Sequence, residues 1–492
     1  MEPDGDTHVL SRVLAKSSPS VFMPRFSAFL LSLLALGSHG AAVAAVEAKT
    51  RPNVLLIVSD DQGFSDFGFT GNPLVKTPVL DRLAAESAVF KNFVVAAACS
   101  PTRSALYTGR EHLGTGVWGV PPRTNLRPDE ALMPAFFRAG GYRTFYAGKA
   151  DTARLPESSP WDRGWDQGYF VSGYQHRDPT LPNRGETLQA KGWTADLVTD
   201  LILDFVHAEP GKPWFATAAY IIPHLPCVCD EKFSAPFLAQ GLSPDLARCY
   251  GSIAQMDAAI GRLLAGVRAA GQADNTVVVF LSDNGMSHKA EADRELAATD
   301  WAKRNVHGLR GHKATVWENG IRVPLLVRWP GRIAPGERKQ FGAVEDVLPT
   351  ILDLAGLRSD SVKHLPFAGV SLRPALFDAA VVRERAPAFR IAISGPGSPK
   401  PQDESNPRPR RFEDHHLVLR GERFKFHALP GGKSALYDLA TDPVEATDVA
   451  ARFPAIAASM SAALRDQWAA LLATGRAFAT TGPAEPKRGR KK

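Results

Sequence analysis

Two acidic pairs in this 492-residue chain stand directly after apolar runs: Asp60-Asp61 follows NVLLIVS (53–59) and Asp283-Asn284 follows TVVVFLS (276–282). Either pair alone reads as a turn or a helix cap. Two of them, each at the carboxyl end of a strand buried on both faces, instead make an all-oxygen donor set. Such a set suits calcium or magnesium rather than zinc. A third cluster is Cys99-Ser100-Pro101-Thr102-Arg103, followed by Thr108-Gly109-Arg110. A guanidinium beside a thiol lowers its pKa and favours the thiolate, whereas a bare loop cysteine is most often structural. Lys149 in AGKAD, His224 in PHLP and Lys313 in RGHKATVWENG complete the candidates. Taken singly they read as surface lysines and a core or capped histidine.

The pattern C-x-P-T-R with T-G-R resembles the modification signature of the sulfatases, with seven defined positions in the twelve residues 99–110. The likeness runs from about residue 53 to 357 and resumes at ALYDLATDPVEATDVA (435–450). It implies that a maturation enzyme oxidises Cys99 to formylglycine, whose hydrate carries two geminal hydroxyls. It also implies one calcium, with magnesium as the alternative, held by Asp60, Asp61, Asp283, Asn284 and the residue at 99. Arg103, Lys149 and Lys313 are then contacts for the sulfate and the formylglycine, and His224 the proton donor to the leaving oxygen. The implied reaction is sulfate-ester hydrolysis of a sulfated small molecule or glycan through a covalent sulfo-enzyme. The rivals are a phosphodiesterase or phosphonate monoester hydrolase of the same superfamily, and a catalytically silent binder of sulfated glycans.

One position departs from the family pattern. Sulfatases usually read G-K-x-H, and here Gly148-Lys149-Ala150 is followed by Asp151. The family histidine takes a proton from the second hydroxyl so that sulfate is eliminated. Asp151 is the candidate replacement, although a carboxylate beside sulfate is repelled unless Lys149 or the metal screens it. His112 and His312 are the other histidines considered for the task.

The elements that position these groups alternate along the chain. Strands are expected at 53–58, 144–147, 214–220, 276–282 and 324–329, and helices at 77–90, 193–207 and 246–269. That alternation predicts a doubly wound α/β domain reaching about residue 375. The resemblance makes it an alkaline-phosphatase-like mixed sheet sandwiched by helices, with a small C-terminal α+β domain. Strands at 416–420, 423–427 and 435–438 and an amphipathic helix at 453–472 supply the latter. The expected division is catalytic domain 45–380, C-terminal antiparallel-sheet subdomain 381–476 and basic tail 477–492.

Composition bounds the partners. The net charge is +7, but Lys487, Arg488, Arg490, Lys491 and Lys492 supply five of those charges, which leaves 7 − 5 = +2 for the body. That pattern is a solvated tail rather than a nucleic-acid surface. FSAFLLSLLAL (26–36), preceded by Arg25 and followed by Ala42-Val43-Ala44, has the form of a signal peptide ending near residue 44, and Met23 is an alternative start. A secreted or periplasmic enzyme without a stable membrane anchor is expected. Cys227, Cys229 and Cys249 are expected to give one disulfide; a soft-metal site built on His224-x-x-Cys-x-Cys is the minor alternative.

Overall fold

The computed structural model describes residues 51–120, 124–150, 160–171, 173–183, 186–394 and 411–476. The expected signal peptide, Asp151, the basic tail and most of the polar loop 394–411 lie outside the described residues.

Eight strands form the central sheet: β1 (Asn53–Ser59), β2 (Ala88–Phe90), β3 (Arg143–Gly148), β4 (Gln167–Phe170), β5 (Trp214–Ala219), β6 (Thr276–Ser282), β7 (Leu325–Arg328) and β8 (Gly336–Arg338). Their spatial order is β8-β2-β7-β6-β1-β5-β3-β4. Only β7 runs against its neighbours, so the sheet is mixed. Every residue of β1 and β6 is buried. Unbroken Val/Leu/Ile runs produce this result, because a strand covered on both faces has no place for the polar half of an alternating pattern.

Six helices cover the sheet: α1 (Pro78–Ala85), α2 (Cys99–Thr108), α3 (Met133–Ala139), α4 (Thr194–Ala208), α5 (Pro244–Ala269) and α6 (Val347–Leu354). Val54, Leu56 and Val58 of β1 enter one core with Leu106 of α2, Phe136 and Phe137 of α3 and Leu348 and Ile351 of α6. Leu55 and Ile57 enter the opposite core with Leu80 and Leu83 of α1, Ile202 and Phe205 of α4 and Met256 and Ile260 of α5. The period of two along one strand therefore divides the helices into two layers.

The helix expected at 77–90 ends at Ala85. Ser87 Oγ donates to the Leu83 carbonyl and closes the last turn. The next three residues pair antiparallel with β7, Phe90 opposite Leu325. Sheet pairing of Val89 and Phe90 overrides a helical spacing that had continued through them.

A second sheet holds β9 (Ala388–Ile391), β10 (Leu417–Arg420), β11 (Phe424–Leu429) and β12 (Lys433–Asp438), antiparallel and in chain order. Its first strand, β9, was not legible in the sequence. Helix α7 (Pro454–Ala473) packs Met460, Leu464 and Trp468 against Phe389, Leu417, Leu419 and Phe426. On the other face, Val418 packs with Val94, Val316 and Phe341 of the larger part.

A buried charge cluster stitches this sheet to the 310–321 segment. Lys425 Nζ meets Glu318 Oε1 at 3.1 Å and Glu445 Oε1 at 2.8 Å, and Arg420 meets Glu318 at 3.2 Å. Glu445 also bonds His427, which bonds His416 at 2.9 Å, and it accepts the backbone N–H of Glu318.

Candidate active site

Four neighbouring parallel strands, β6-β1-β5-β3, end on the same edge of the sheet, where ligands of open α/β folds bind. Asp283 and Asn284 leave β6, Asp60 and Asp61 leave β1, the segment to His224 leaves β5, and Lys149 leaves β3. Gly148 makes the last step possible: its φ is +113° and a Cβ there would lie 1.9 Å from the Ala219 carbonyl oxygen. Asp61 also holds a left-handed backbone, φ 65°. Such strain persists where the surroundings over-determine the conformation.

Helix α2 brings the remaining groups. Cys99 is its first residue, at 1% exposure, and Arg103 lies one turn later on the same face. The helix N-terminus therefore directs its partial positive charge at the position of residue 99. Arg103 Nε and Nη2 donate to Asp283 Oδ2 at 3.0 and 2.8 Å, and Nη1 donates to the Lys149 carbonyl. Lys149 Nζ donates to Asp60 Oδ2 at 2.7 Å. Lys313 Nζ lies 2.7 and 2.9 Å from the two oxygens of Asp61, its loop anchored by the Lys313 N–H on the Met286 carbonyl. His224 Nε2 stands 3.8 Å from Asp61, while its Nδ1 bonds the Leu225 carbonyl.

Three carboxylates thus face three fixed cations. Burial would raise the Asp60 pKa, but Lys149, His224, Arg103 and Lys313 hold it well below the usual carboxylate range. Burial opposes the Lys313 charge, and Asp61 overcomes it, so the ammonium is retained beyond the ordinary lysine value. Burial lowers the His224 imidazole, with Asp61 pulling the other way.

The donor set fits a hard cation. One ligand atom from each of Asp60, Asp61 and His224 lies within 4.8 Å of the others. Asp60 Oδ1 and Asn284 Oδ1 are buried without a hydrogen-bond partner among the described residues, and unpaired buried oxygens are rare in a folded protein. Asn284 Nδ2 donates to Asp61 Oδ1 at 2.8 Å, which fixes its amide oxygen outward. Asp283 is also present, with Oδ2 on Arg103 and Oδ1 on the Asp61 N–H.

Every sequence-selected site residue that is described converges here; Asp151 lies outside the described residues. The histidines proposed in its stead are held by other partners. His112 Nδ1 bonds the Val117 carbonyl with Nε2 beside Glu111, and His312 Nδ1 bonds the Lys313 carbonyl with its ring against His288. The expected disulfide is not formed: all four cysteines are thiols. Cys227 hydrogen-bonds the Cys249 side chain, and this bond together with burial pushes its pKa well up. The soft-metal alternative also fails, because the His224 ring faces Asp61 rather than the cysteines.

Two residues escaped the sequence reading. Tyr174 stacks on His224, ring centroids 3.7 Å apart and planes 3° from parallel, and Lys149 Nζ lies 4.8 Å above the same tyrosine ring. His176, at 5% exposure, lies close to His224, and neither of its buried ring nitrogens has a hydrogen-bond partner of good geometry among the described residues. Burial, with the neighbouring His224, lowers its pKa to about 4. Their only signal was their place in GYQHRD, inside an irregular loop with no periodicity to read.

Comparison with known proteins points the same way. The Sulfatase family model matches residues 52–357. N-acetylgalactosamine-6-sulfatase of Mus musculus is 30% identical over 386 residues, covering 70% of this chain and 69% of that protein. Arylsulfatase A of Bos taurus is 31% identical over 382 residues, 68% of this chain and 70% of its own length. Among solved structures, Ps i-CgsB in complex with k-i-k-neocarrahexaose superposes with a TM-score of 0.72 at 24% identity, covering 85% of this chain and 92% of that one, which shows a shared fold. With the family model spanning more than half its length, the chain belongs to the sulfatase family and is a sulfuric ester hydrolase.

Proposed function

We propose that the chain removes sulfate from a sulfated carbohydrate, with residue 99 as nucleophile after a maturation enzyme converts Cys99 to formylglycine, and with one calcium held by Asp60, Asp61, Asp283 and Asn284. The observation that supports this reading is the position of Cys99: it is the buried first residue of α2, the helix that carries Arg103 to Asp283, and its charge acts on Lys313, which pairs with Asp61. A hard divalent cation supplies two positive charges there, which offset the anionic ester and favour the ionised form of a nearby hydroxyl. Magnesium would serve the same donors less readily, since it demands stricter geometry.

The chain's own groups divide the remaining work. Lys149 and Lys313 bind the sulfate oxygens, where negative charge accumulates. Arg103 fixes Asp283 and the Lys149 backbone. A hydroxyl on residue 99 attacks sulfur, and His224 gives a proton from Nε2 to the departing sugar oxygen as an imidazolium: Nδ1–H is held on the Leu225 carbonyl, so Nε2 carries a proton only in the charged ring, the form that Asp61 at 3.8 Å favours. Carbohydrate is favoured because a 30%-identical relative is named for galactosamine sulfate. The signal-peptide form of residues 26–44 favours action outside the cytoplasm. Among the described residues, no helix is long and apolar enough to cross a membrane.

Peptide mass spectrometry across residue 99, on protein from the native host, tests the central step, with parallel assays on an aryl sulfate and an aryl phosphodiester. An aldehyde at residue 99 and preference for the sulfate are expected. An unmodified thiol in active protein, or preference for the phosphodiester, overturns the reading.

A further inference from the structure

We propose that His176 is a second catalytic histidine of this centre and accepts the proton when sulfate leaves residue 99. The inference rests on the proposed formylglycine chemistry. In that chemistry the attacking hydroxyl of residue 99 becomes a sulfate ester, while the second hydroxyl stays on the same carbon. Regeneration breaks the O–H bond of the second hydroxyl. Its electron pair forms the C=O bond, the carbon–oxygen bond to the sulfate breaks with its electrons going to sulfate, and the proton passes to a base. Water then rehydrates the aldehyde, so no oxidant or reductant is consumed.

Among the described groups, His176 is the base left without another assignment. Arg103, Lys149 and Lys313 are cations and donate. Asp60, Asp61 and Asp283 are each engaged by one of those cations. His224 has Nδ1 on the Leu225 carbonyl, and its Nε2 belongs to the leaving oxygen. His112 has Nδ1 on the Val117 carbonyl and Nε2 beside Glu111, and His312 has Nδ1 on the Lys313 carbonyl and its ring against His288.

His176 differs from all of these. It is 5% exposed, yet neither ring nitrogen has a hydrogen-bond partner of good geometry among the described residues. Leaving a buried imidazole in this state is destabilising, a cost expected where a ligand completes the bonds. The charges of His224 and Asp60 act on its ring. The same short segment also lays Tyr174 against both His224 and Lys149. The segment is pinned from behind, since the Thr194 N–H bonds the His176 carbonyl and Arg177 pairs with Trp193. The side chain is thus aimed by its backbone while its nitrogens remain open. The imidazole is neutral in the resting centre, and an arriving anion strengthens its hold on a proton.

The test uses full-length protein with an aldehyde verified at residue 99, comparing wild type, His176→Gln, His176→Gly and Asp151→Asn on a chromogenic aryl sulfate in rapid-quench experiments. His176→Gln is expected to release one equivalent of phenol in a burst near the wild-type rate. Steady turnover should then fall about 10²–10³-fold, with sulfate retained on the residue-99 peptide by mass. Added imidazole should restore turnover in His176→Gly, a rescue that a packing role would not give. The assignment is overturned if His176→Gln turns over like wild type without a burst, if imidazole restores nothing, or if only Asp151→Asn traps the sulfated peptide. A wild type without the aldehyde, or inert toward aryl sulfate, overturns the proposed function itself.

Discussion

Two clusters of buried charge sit in this molecule, and they are built on opposite terms. Around Lys425, each ionised group is answered: Glu318 by Arg420 and Lys425, Glu445 by Lys425, His427 and the Glu318 N–H. Around Asp60, the charges also balance in number, but among the described residues Asp60 Oδ1, Asn284 Oδ1 and both nitrogens of His176 have no well-formed hydrogen bond. A closed network holds two pieces of chain in register. An open one keeps binding capacity in reserve, at a cost in stability that a ligand can return.

The largest expected effect breaks the closed cluster. Lys425→Met leaves Glu318 and Glu445 short of a cation, and about 3–5 kcal/mol of unfolding free energy should be lost. Denaturant titration measures this, and an unchanged midpoint would mean that the cluster is no more stabilising than an apolar contact. In the open cluster the same kind of deletion should read out differently. Lys313→Ala should lower kcat/KM for an aryl sulfate by about 10²–10³-fold while moving the thermal midpoint little. A midpoint drop as large as that of Lys425→Met would erase the distinction between the clusters. The smallest effect is graded by pH. Burial, and then the neighbouring charges, bring His416 down from 6.5 to about 3, and burial holds His427 well below 6.5. The unfolded chain therefore binds protons that the folded one refuses. Stability should be intact above about pH 6.5 and fall on acidification toward 3, by about 1.4 kcal/mol per pH unit for each imidazole. A double His416→Gln, His427→Gln variant should flatten that slope.

Legibility followed distance along the chain. The cysteine signature spans twelve residues on one helix, so its geometry was nearly written in its spacing. The acidic pairs were legible because NVLLIVS and TVVVFLS could only be strands buried on both faces, and such strands end at ligand sites. By contrast, β2 is three residues long and continues a helical spacing, and only its partner β7, more than 230 residues later, makes it a strand. Lys425 and Glu318 are separated by 107 positions, and nothing local marks either as a partner. His176 lay in a loop where no period constrains a side chain, so only the fold could bring it to His224.

The burial of Cys99 sets a clock. Each of the ten residues of α2 is buried, Cys99 included. On the proposed chemistry, an enzyme that oxidises Cys99 cannot reach it in the finished fold. Maturation and folding become competitors, and whichever finishes first determines whether the molecule leaves the assembly line as a catalyst or as an inert copy of one. A mutation that speeds the docking of α2 would then lower the active fraction without touching any residue of the centre.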